Sequence, residues 1–396
     1  MKKIFLIICF FIFCMFFKSL NAGEVDILMQ KLIEKGIITK EEAKQIKDEI
    51  KKEKDKEKEK YDFLKNTKFS GDLRVRYQHE DIDGGTNRDR YRMRARWGFK
   101  TKIFENTEIG LRLATGVGEQ TSTNQTFGEA FSQKAFWLDR AYLKHSFNDF
   151  SIIAGKIENP FYSTDIIWDT DINPEGFAFV YKHSKGLFIN SGVFPLAENK
   201  NWTDDPLLYG IQLGYEGKIG KEGKFKIASG IYSTVGLVGK KQTDISPKYE
   251  PKGNTLDANG NYMFEYRPFD VLFEITPFKI AEKPFKIYGD YVKNIESGIT
   301  NNTAYIFGFS IGVLKEKNDW VIEYNYRQVD ADATLAILSD SDINGGGTDL
   351  KGHKISFGYQ VSKNSSFGIT YFIGKALGVN RTDNRNTLQV DYLVKF

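Results

Sequence analysis

The chain has 396 residues, a formal net charge of +4 and a mean hydropathy of −0.42. Residues 1–60 hold 14 basic and 11 acidic groups and the rest of the chain 42 and 41, so no basic bias points to nucleic acid. No stretch approaches the roughly 18 apolar residues of a spanning helix, which excludes helical membrane proteins but not barrels, whose apolar residues are diluted by polar ones.

In chain order, Lys2 and Lys3 precede an apolar run from Ile4 to Phe17. A cleavage site follows at Ala22, with Leu20 an imperfect residue three positions before the cut. Residues 1–22 read as a secretory signal, too short to span a bilayer. Both cysteines, Cys9 and Cys14, lie inside it, so the mature chain is expected to carry no disulfide. Residues 23–66 read as a periplasmic helical hairpin and charged spacer. Val25, Leu28, Leu32 and Ile33 have helical spacing, and Gly36 is a natural stop. Thr39 and Glu42 form a capping box for a second helix through Ala43, Ile46 and Ile50. The run KKEKDKEKEK at 51–60 has no apolar face and predicts a solvated helix or a disordered linker.

From residue 67 to the end, sixteen segments alternate between apolar and polar residues, among them 68–79, 88–104, 107–116, 134–147, 207–218, 261–278 and 386–396. Segment 88–104 is the most informative. Arg90, Arg92, Arg94 and Arg96 alternate with Tyr91, Met93, Ala95 and Trp97, so as a strand the two sets occupy opposite faces. A basic side chain facing lipid at mid-bilayer costs ~2–4 kcal/mol, and four together on the order of 10 kcal/mol. That rivals the stability of a whole domain. The arginines must therefore face a wet interior and the apolar set lipid. Arg74 and Arg76 on the preceding segment and Arg112 on the next extend the same basic wall. In segment 134–147, Asp139 and Arg140 compete for the inner face.

Links between segments alternate between tight turns, such as 105–106, 148–149 and 316–317, and long polar loops, such as 117–133, 158–175, 236–260 and 331–349. This asymmetry and the even count predict an all-β, 16-stranded antiparallel transmembrane barrel over 67–396. A soluble sandwich or solenoid explains neither the loop asymmetry nor the length of segment 88–104. Loop 158–175 contains Glu158, Asp165, Asp169, Asp171 and Glu175 and no Lys or Arg. Folded inward, it would set carboxylates against the arginine wall; folded outward, it would only cap the barrel. The inward placement is favoured, with Arg92, Arg94, Asp169 and Asp171 as the principal filter. Asp270, Glu274, Asp290 and Glu323 line another part of the wall, so the sign of selectivity does not follow, with a slight tilt toward anions. GGG at 345–347 reads as a flexible external loop.

These features resemble general-diffusion porins, whose third loop folds inward opposite a basic cluster. More closely, LIEKGIITKEEAK at 32–44, GKIENPF at 155–161, WDTDINPEG at 168–176 and the last strand ending at Phe396 resemble outer-membrane porins with a short N-terminal helical segment. The resemblance implies passive passage of small hydrophilic solutes and ions across the outer membrane of a Gram-negative bacterium. It also implies a homotrimer in outer-membrane lipid, and Phe396 as the signal read by the barrel assembly machinery.

No enzyme reading stands beside it. His79, His145, His183 and His353 lack metal-ligand spacing, and no nucleophile elbow or phosphate loop occurs, so neither a metal nor a cofactor is expected. The competing class is a surface adhesion or envelope-tethering protein that uses the barrel as an anchor and its N-terminal helices to grip a periplasmic or cell-wall partner. Small inward residues such as Gly308, Ser310, Ser356 and Gly368, and the lack of sequence for a plug, favour the channel.

Overall fold

The computed structural model describes residues 30–36 and 38–396. The signal segment with its cysteines, and Val25 and Leu28 of the expected first helix, lie outside the described residues. The chain divides after Asn66 into two compact units.

In the first unit, helical turns at 30–34 end at Gly36, whose backbone has φ 64° and whose N–H donates to the Ile33 carbonyl at 3.0 Å. Helix α1 spans Lys40–Lys65. Its capping box forms as the spacing predicts: the Glu42 N–H donates to Thr39 Oγ1 at 3.1 Å, and the Thr39 N–H donates to Glu42 Oε2 at 2.8 Å. That backbone N–H holds the Glu42 carboxyl below its usual range. The charged run 51–60 takes the helical alternative, because Lys and Glu are good helix formers and the sequence offers no breaker.

The second unit is one closed sheet. Its staves are β1 (Thr67–Ile82), β2 (Arg88–Phe104), β3 (Thr107–Thr115), β4 (Phe136–Phe147), β5 (Phe150–Lys156), β6 (Glu175–Lys182), β7 (Leu187–Pro195) and β8 (Leu207–Ile219). There follow β9 (Gly223–Val235), β10 (Pro268–Ile280), β11 (Lys283–Asn294), β12 (Thr303–Gly312), β13 (Trp320–Val329), β14 (Leu350–Ser362), β15 (Ser365–Ala376) and β16 (Arg385–Lys395). Each pairs antiparallel with the next, and β1 pairs with both β2 and β16. At that seam Gly71 and Phe396 exchange backbone hydrogen bonds of 2.9 and 3.1 Å. A Cβ on Gly71 would lie 2.5 Å from the Phe396 ring, so the small residue makes room for the terminal aromatic. A sixteen-stave closure leaves no free edge.

Tight turns gather at one end. The other end carries eight loops, here numbered in order, of which loop 2 (116–135), loop 3 (157–174), loop 5 (236–267), loop 7 (330–349) and loop 8 (377–384) matter below. The outer face is apolar as costed: Leu73, Val75, Tyr91 and Trp97 are exposed on it. Beside the tight turns, rings follow one another between neighbouring strands: Phe69–Trp97, Phe147–Phe150, Phe150–Tyr181, Tyr215–Phe225 and Phe278–Phe285, with centroids 4.6–6.3 Å apart. Tyr77–Tyr91 and Tyr305–Tyr326 do the same near the loops. Two aromatic belts flanking an apolar band are the outer surface of a transmembrane barrel. No described helix is long and apolar enough to cross a membrane.

Three details depart from the alternation. In β4, Arg112 of β3 faces Arg140 and Leu113 faces Leu138, so Asp139 is the extra residue of a β-bulge. The bulge turns both Asp139 and Arg140 inward, and the two do not compete. The segment expected at 261–278 starts instead at Pro268. Tyr262 and Tyr266 belong to a buried cluster of loops 5 and 7 with Leu237, Ile245, Leu335 and Ile337. Finally, the N-terminal half of β2 outruns the nine residues of β3. Its bare backbone is covered by a two-residue strand of loop 2, Gln125–Thr126, facing Arg92 and Met93.

Candidate functional site

The inward face of β1 and β2 repeats every second residue: Asp72, Arg74, Arg76, Gln78 and Glu80 on one, Arg90, Arg92, Arg94 and Arg96 on the other. The register sets Arg74 opposite Arg94 and Arg76 opposite Arg92. Four guanidinium groups so close repel, and carboxylates at the rim and across the seam offset this. Arg76 makes a two-pronged bond to Asp391 of β16 at 2.7 and 2.8 Å. Asp72 accepts from Arg94 at 2.9 Å and Arg96 at 2.7 Å. Glu80 accepts from Arg90 at 2.5 Å, and Arg112 pairs with Asp139.

Two arginines are left largely uncompensated. Arg74 donates to Asn124 Oδ1 of loop 2 at 2.7 Å and reaches Asp391 only at 4.0 Å. Arg92 donates to Gln78 at 3.0 Å and joins no ion pair among the described residues. The Nε of each is buried without a hydrogen-bond partner.

Loop 3 touches the inward faces of strands across the barrel. Its backbone at Tyr162 both donates to and accepts from the Gln212 side chain of β8, at 2.9 and 2.6 Å. Thr164 Oγ1 donates to Asp290 of β11 at 2.6 Å. Phe161 and Trp168 pack on Tyr232 of β9 with centroids 5.0 and 5.9 Å away. Trp168 is 2% exposed and Ile166 fully buried, so the loop is an interior element with its own core.

The five acids expected to face the arginines divide. Asp171 reaches Arg96 at 3.4 Å. Asp165 pairs with Arg327 of β13 at 3.2 Å. Glu158 bonds Arg140 at 3.0 Å and Lys100 at 3.4 Å. Asp169 joins no ion pair among the described residues and accepts the N–H groups of Asp171 and Ser341. Glu175 opens β6, outside the loop, and pairs with Lys156 at 2.7 Å.

Loop 7 is not the flexible external segment that GGG at 345–347 predicts, because it packs against loop 3. Residues 331–337 are all buried. Loop 7 is tied to loop 3 by Asp169 N–H to Leu338 O at 2.7 Å and Asp340 N–H to Asp165 O at 3.0 Å. Asp340 shares Arg327 with Asp165, each at 3.2 Å. Asp342 accepts from Gln389 at 2.9 Å. The glycines 345–347 are packed rather than loose. All have φ between 75° and 87°, and a Cβ on Gly347 would lie 2.2 Å from the Lys252 carbonyl. Likewise the gap at Gly308 is filled, since its missing Cβ makes room for the Tyr288 ring, 2.6 Å from where it would stand.

Between the β1–β2 wall and these loops lies a cavity of about 350 Å³. It is lined by seven basic residues, all on strands, and seven acidic ones, of which all but Glu80 are on loops: Glu119 on loop 2, Asp165, Asp169 and Asp171 on loop 3, Asp340 and Asp342 on loop 7. Arg96 and Arg112 lie outside its lining. Burial, reinforced by Asp340, holds the Asp169 carboxyl well above the usual carboxylate range. Burial also pushes Asp340 up to about 6, against the pull of Arg327.

A closed sixteen-stave barrel with belted aromatics and a polar, loop-lined interior is matched by one family profile, described as "Putative porin", over residues 81–267 and 279–396. The chain belongs to this porin family. It is an outer-membrane channel, not an enzyme. Among solved structures, the porin is similar to the high-pH structure of Pseudomonas putida OprB, with 12% identity and a TM-score of 0.58 over 84% of this chain and 94% of that one. The low-pH structure of the same protein gives 10% identity and a TM-score of 0.52 over 84% and 93%. These likenesses concern the fold. A mutant of the Rh. blastica porin aligns at 11% identity and a TM-score of 0.49, over 83% of the porin and all of that chain. No curated protein matches the porin by sequence.

Sequence reasoning missed the acids of loop 7, although the signal it used for loop 3 was present there. Residues 330–349 contain Asp330, Asp332, Asp340, Asp342 and Asp349 and no Lys or Arg, beside the apolar run Leu335–Leu338. It also missed the strand acids Asp72, Glu80 and Asp391, which strand parity places on the arginine face.

Proposed function

We propose that small hydrophilic solutes and ions cross this porin through a constriction between the basic wall of β1 and β2 and the acidic faces of loops 3 and 7. The observation that carries the reading is the cavity whose bases lie on strands and whose acids lie almost wholly on loops. The working filter is Arg74 and Arg92 rather than Arg92 and Arg94, because Arg94 is already matched by Asp72. On the acidic side it is Asp169 and Asp342, which have no cationic partner at bonding distance among the described residues, more than Asp171, which has Arg96. Around this pore we place the remaining expectations: a cleaved signal at 1–22, periplasmic helices over 23–66, Phe396 as the assembly signal, and a homotrimer.

The test is the reversal potential of purified protein in a planar bilayer under a potassium chloride gradient. Arg74→Gln with Arg92→Gln should move it toward cation selectivity, and Arg94→Gln alone should move it less than Arg92→Gln alone. An unchanged potential in the double variant would locate the filter elsewhere.

A further inference from the structure

The charges around the cavity are equal in number and separated in space. A simple ion entering it is attracted by one face and repelled by the other, so the two contributions largely cancel. A molecule carrying both charges gains from both faces at once, provided it turns its anion toward the strands and its cation toward the loops. The groups needed are in place. Arg92 has a buried, unpartnered Nε and lines the same cavity as Asp342 and Glu119. Asp169 and Asp342 accept only from neutral donors among the described residues. The volume, about 350 Å³, falls at the small end of ligand pockets. Screening does not erase the effect, since the Debye length of about 10 Å at 0.1 M salt is comparable to a space of this size.

We infer that the constriction is a binding subsite for small zwitterions, molecules pairing a carboxylate with an ammonium group. Its carboxylate pole is Arg74 and Arg92, and its ammonium pole is Asp169 and Asp342. The inference rests on the constriction reading above and deepens it. Charge-assisted hydrogen bonds form at both ends of such a solute, whereas a singly charged solute forms them at one.

The experiment uses the full chain in planar bilayers at pH 8, with 4-aminobutyrate, butyrate and butylammonium as probes of nearly equal size. The readout is the concentration of each that halves the potassium chloride current. 4-Aminobutyrate should act at about a tenfold lower concentration than either singly charged analogue, a ratio typical of one added charged contact. The decisive variant is Arg92→Gln with Asp342→Asn, which removes one charge from each pole and leaves the net charge unchanged. It should lose the preference for 4-aminobutyrate. Migration on gels with and without boiling confirms that the variant barrel is closed. Equal potency of the three probes on a native channel whose Arg74/Arg92 variant still shifts the reversal potential overturns the zwitterion site and leaves the constriction standing. A preference that survives in the charge-balanced variant overturns it as well. A channel whose reversal potential ignores Arg74 and Arg92 brings down the constriction reading itself, by a different measurement.

Discussion

The wall of β1, β2 and β16 and the wall of β8 to β11 both bury ionisable side chains, by opposite means. On the first, guanidinium groups crowd at strand spacing and carboxylates within 2.5–2.9 Å balance most of them. On the second, Asp270 and Asp290 are almost fully buried with no cation in reach among the described residues. Each is held by one neutral donor, the Gly230 N–H and the Thr164 hydroxyl, both at 2.6 Å, and each keeps one oxygen without a partner. The first wall meets polar space and the second meets loop 3, whose aromatic residues seal it. Buried ionisable groups thus serve two ends in one lumen, as a surface offered to solutes and as a peg for a loop.

The largest expected effect breaks the second wall. Trp168→Ala removes a ring packed against Phe161, Phe194 and Tyr232 and should weaken the seating of loop 3 by about 3–5 kcal/mol. Single-channel current should become larger and noisier while gel migration of the barrel stays native. Next, Asp72→Asn leaves Arg94 and Arg96 without their shared carboxylate and should cost about 1–3 kcal/mol, lowering the thermal midpoint in detergent. Asp290→Asn keeps an oxygen for Thr164 and should leave that midpoint unchanged or raise it, because no cation loses its partner. A fall of similar size in both would mean that the two walls do not differ.

The smallest effect sharpens the comparison by pH. Asp340 titrates at about 6 and Asp169 above the usual range, both because they are buried. As pH falls through about 6 Asp340 takes up its proton, the loop side loses negative charge and the arginines do not. Reversal potentials should drift toward anions on acidification, and the drift should vanish in Asp169→Asn with Asp340→Asn. The same sign governs stability. Asp340 binds its proton more tightly folded than unfolded, so its contribution is complete below about pH 4 and lost as pH rises through about 6.

How much of this was legible in the chain follows from the range of the forces involved. Strand facing is a local property: the period of two along RYRMRARW settles which residues meet lipid, and the barrel wall was readable almost to the residue. The capping box of α1 was readable for the same reason. The Asp139 bulge was visible only as a contradiction, two inward-seeking charges side by side, because its resolution depends on pairing with β3. The alternation through Tyr262 and Tyr266 misled because a buried loop also needs large apolar residues, and only the tertiary contact decides between loop and stave. Loop 3 was identified by its charge. Loop 7 carries the same charge signature and went unread behind its glycines, which a chain reading takes for slack and the fold uses for close packing.

The seam between the first and last staves bears on when the filter comes into being. Arg76 and Asp391 are 315 positions apart, and Arg385 reaches Glu80 across 305 at 3.4 Å. Contacts of such separation form late, since their loop entropy must be met before they contribute anything. The arginine wall therefore has no complete set of counter-charges until the seam has zipped through Gly71 and Phe396. During insertion, an unclosed intermediate would expose its most repulsive surface along its open edge. Electrostatic relief then acts in the same direction as edge pairing, and closure and the maturation of the filter are one event in time.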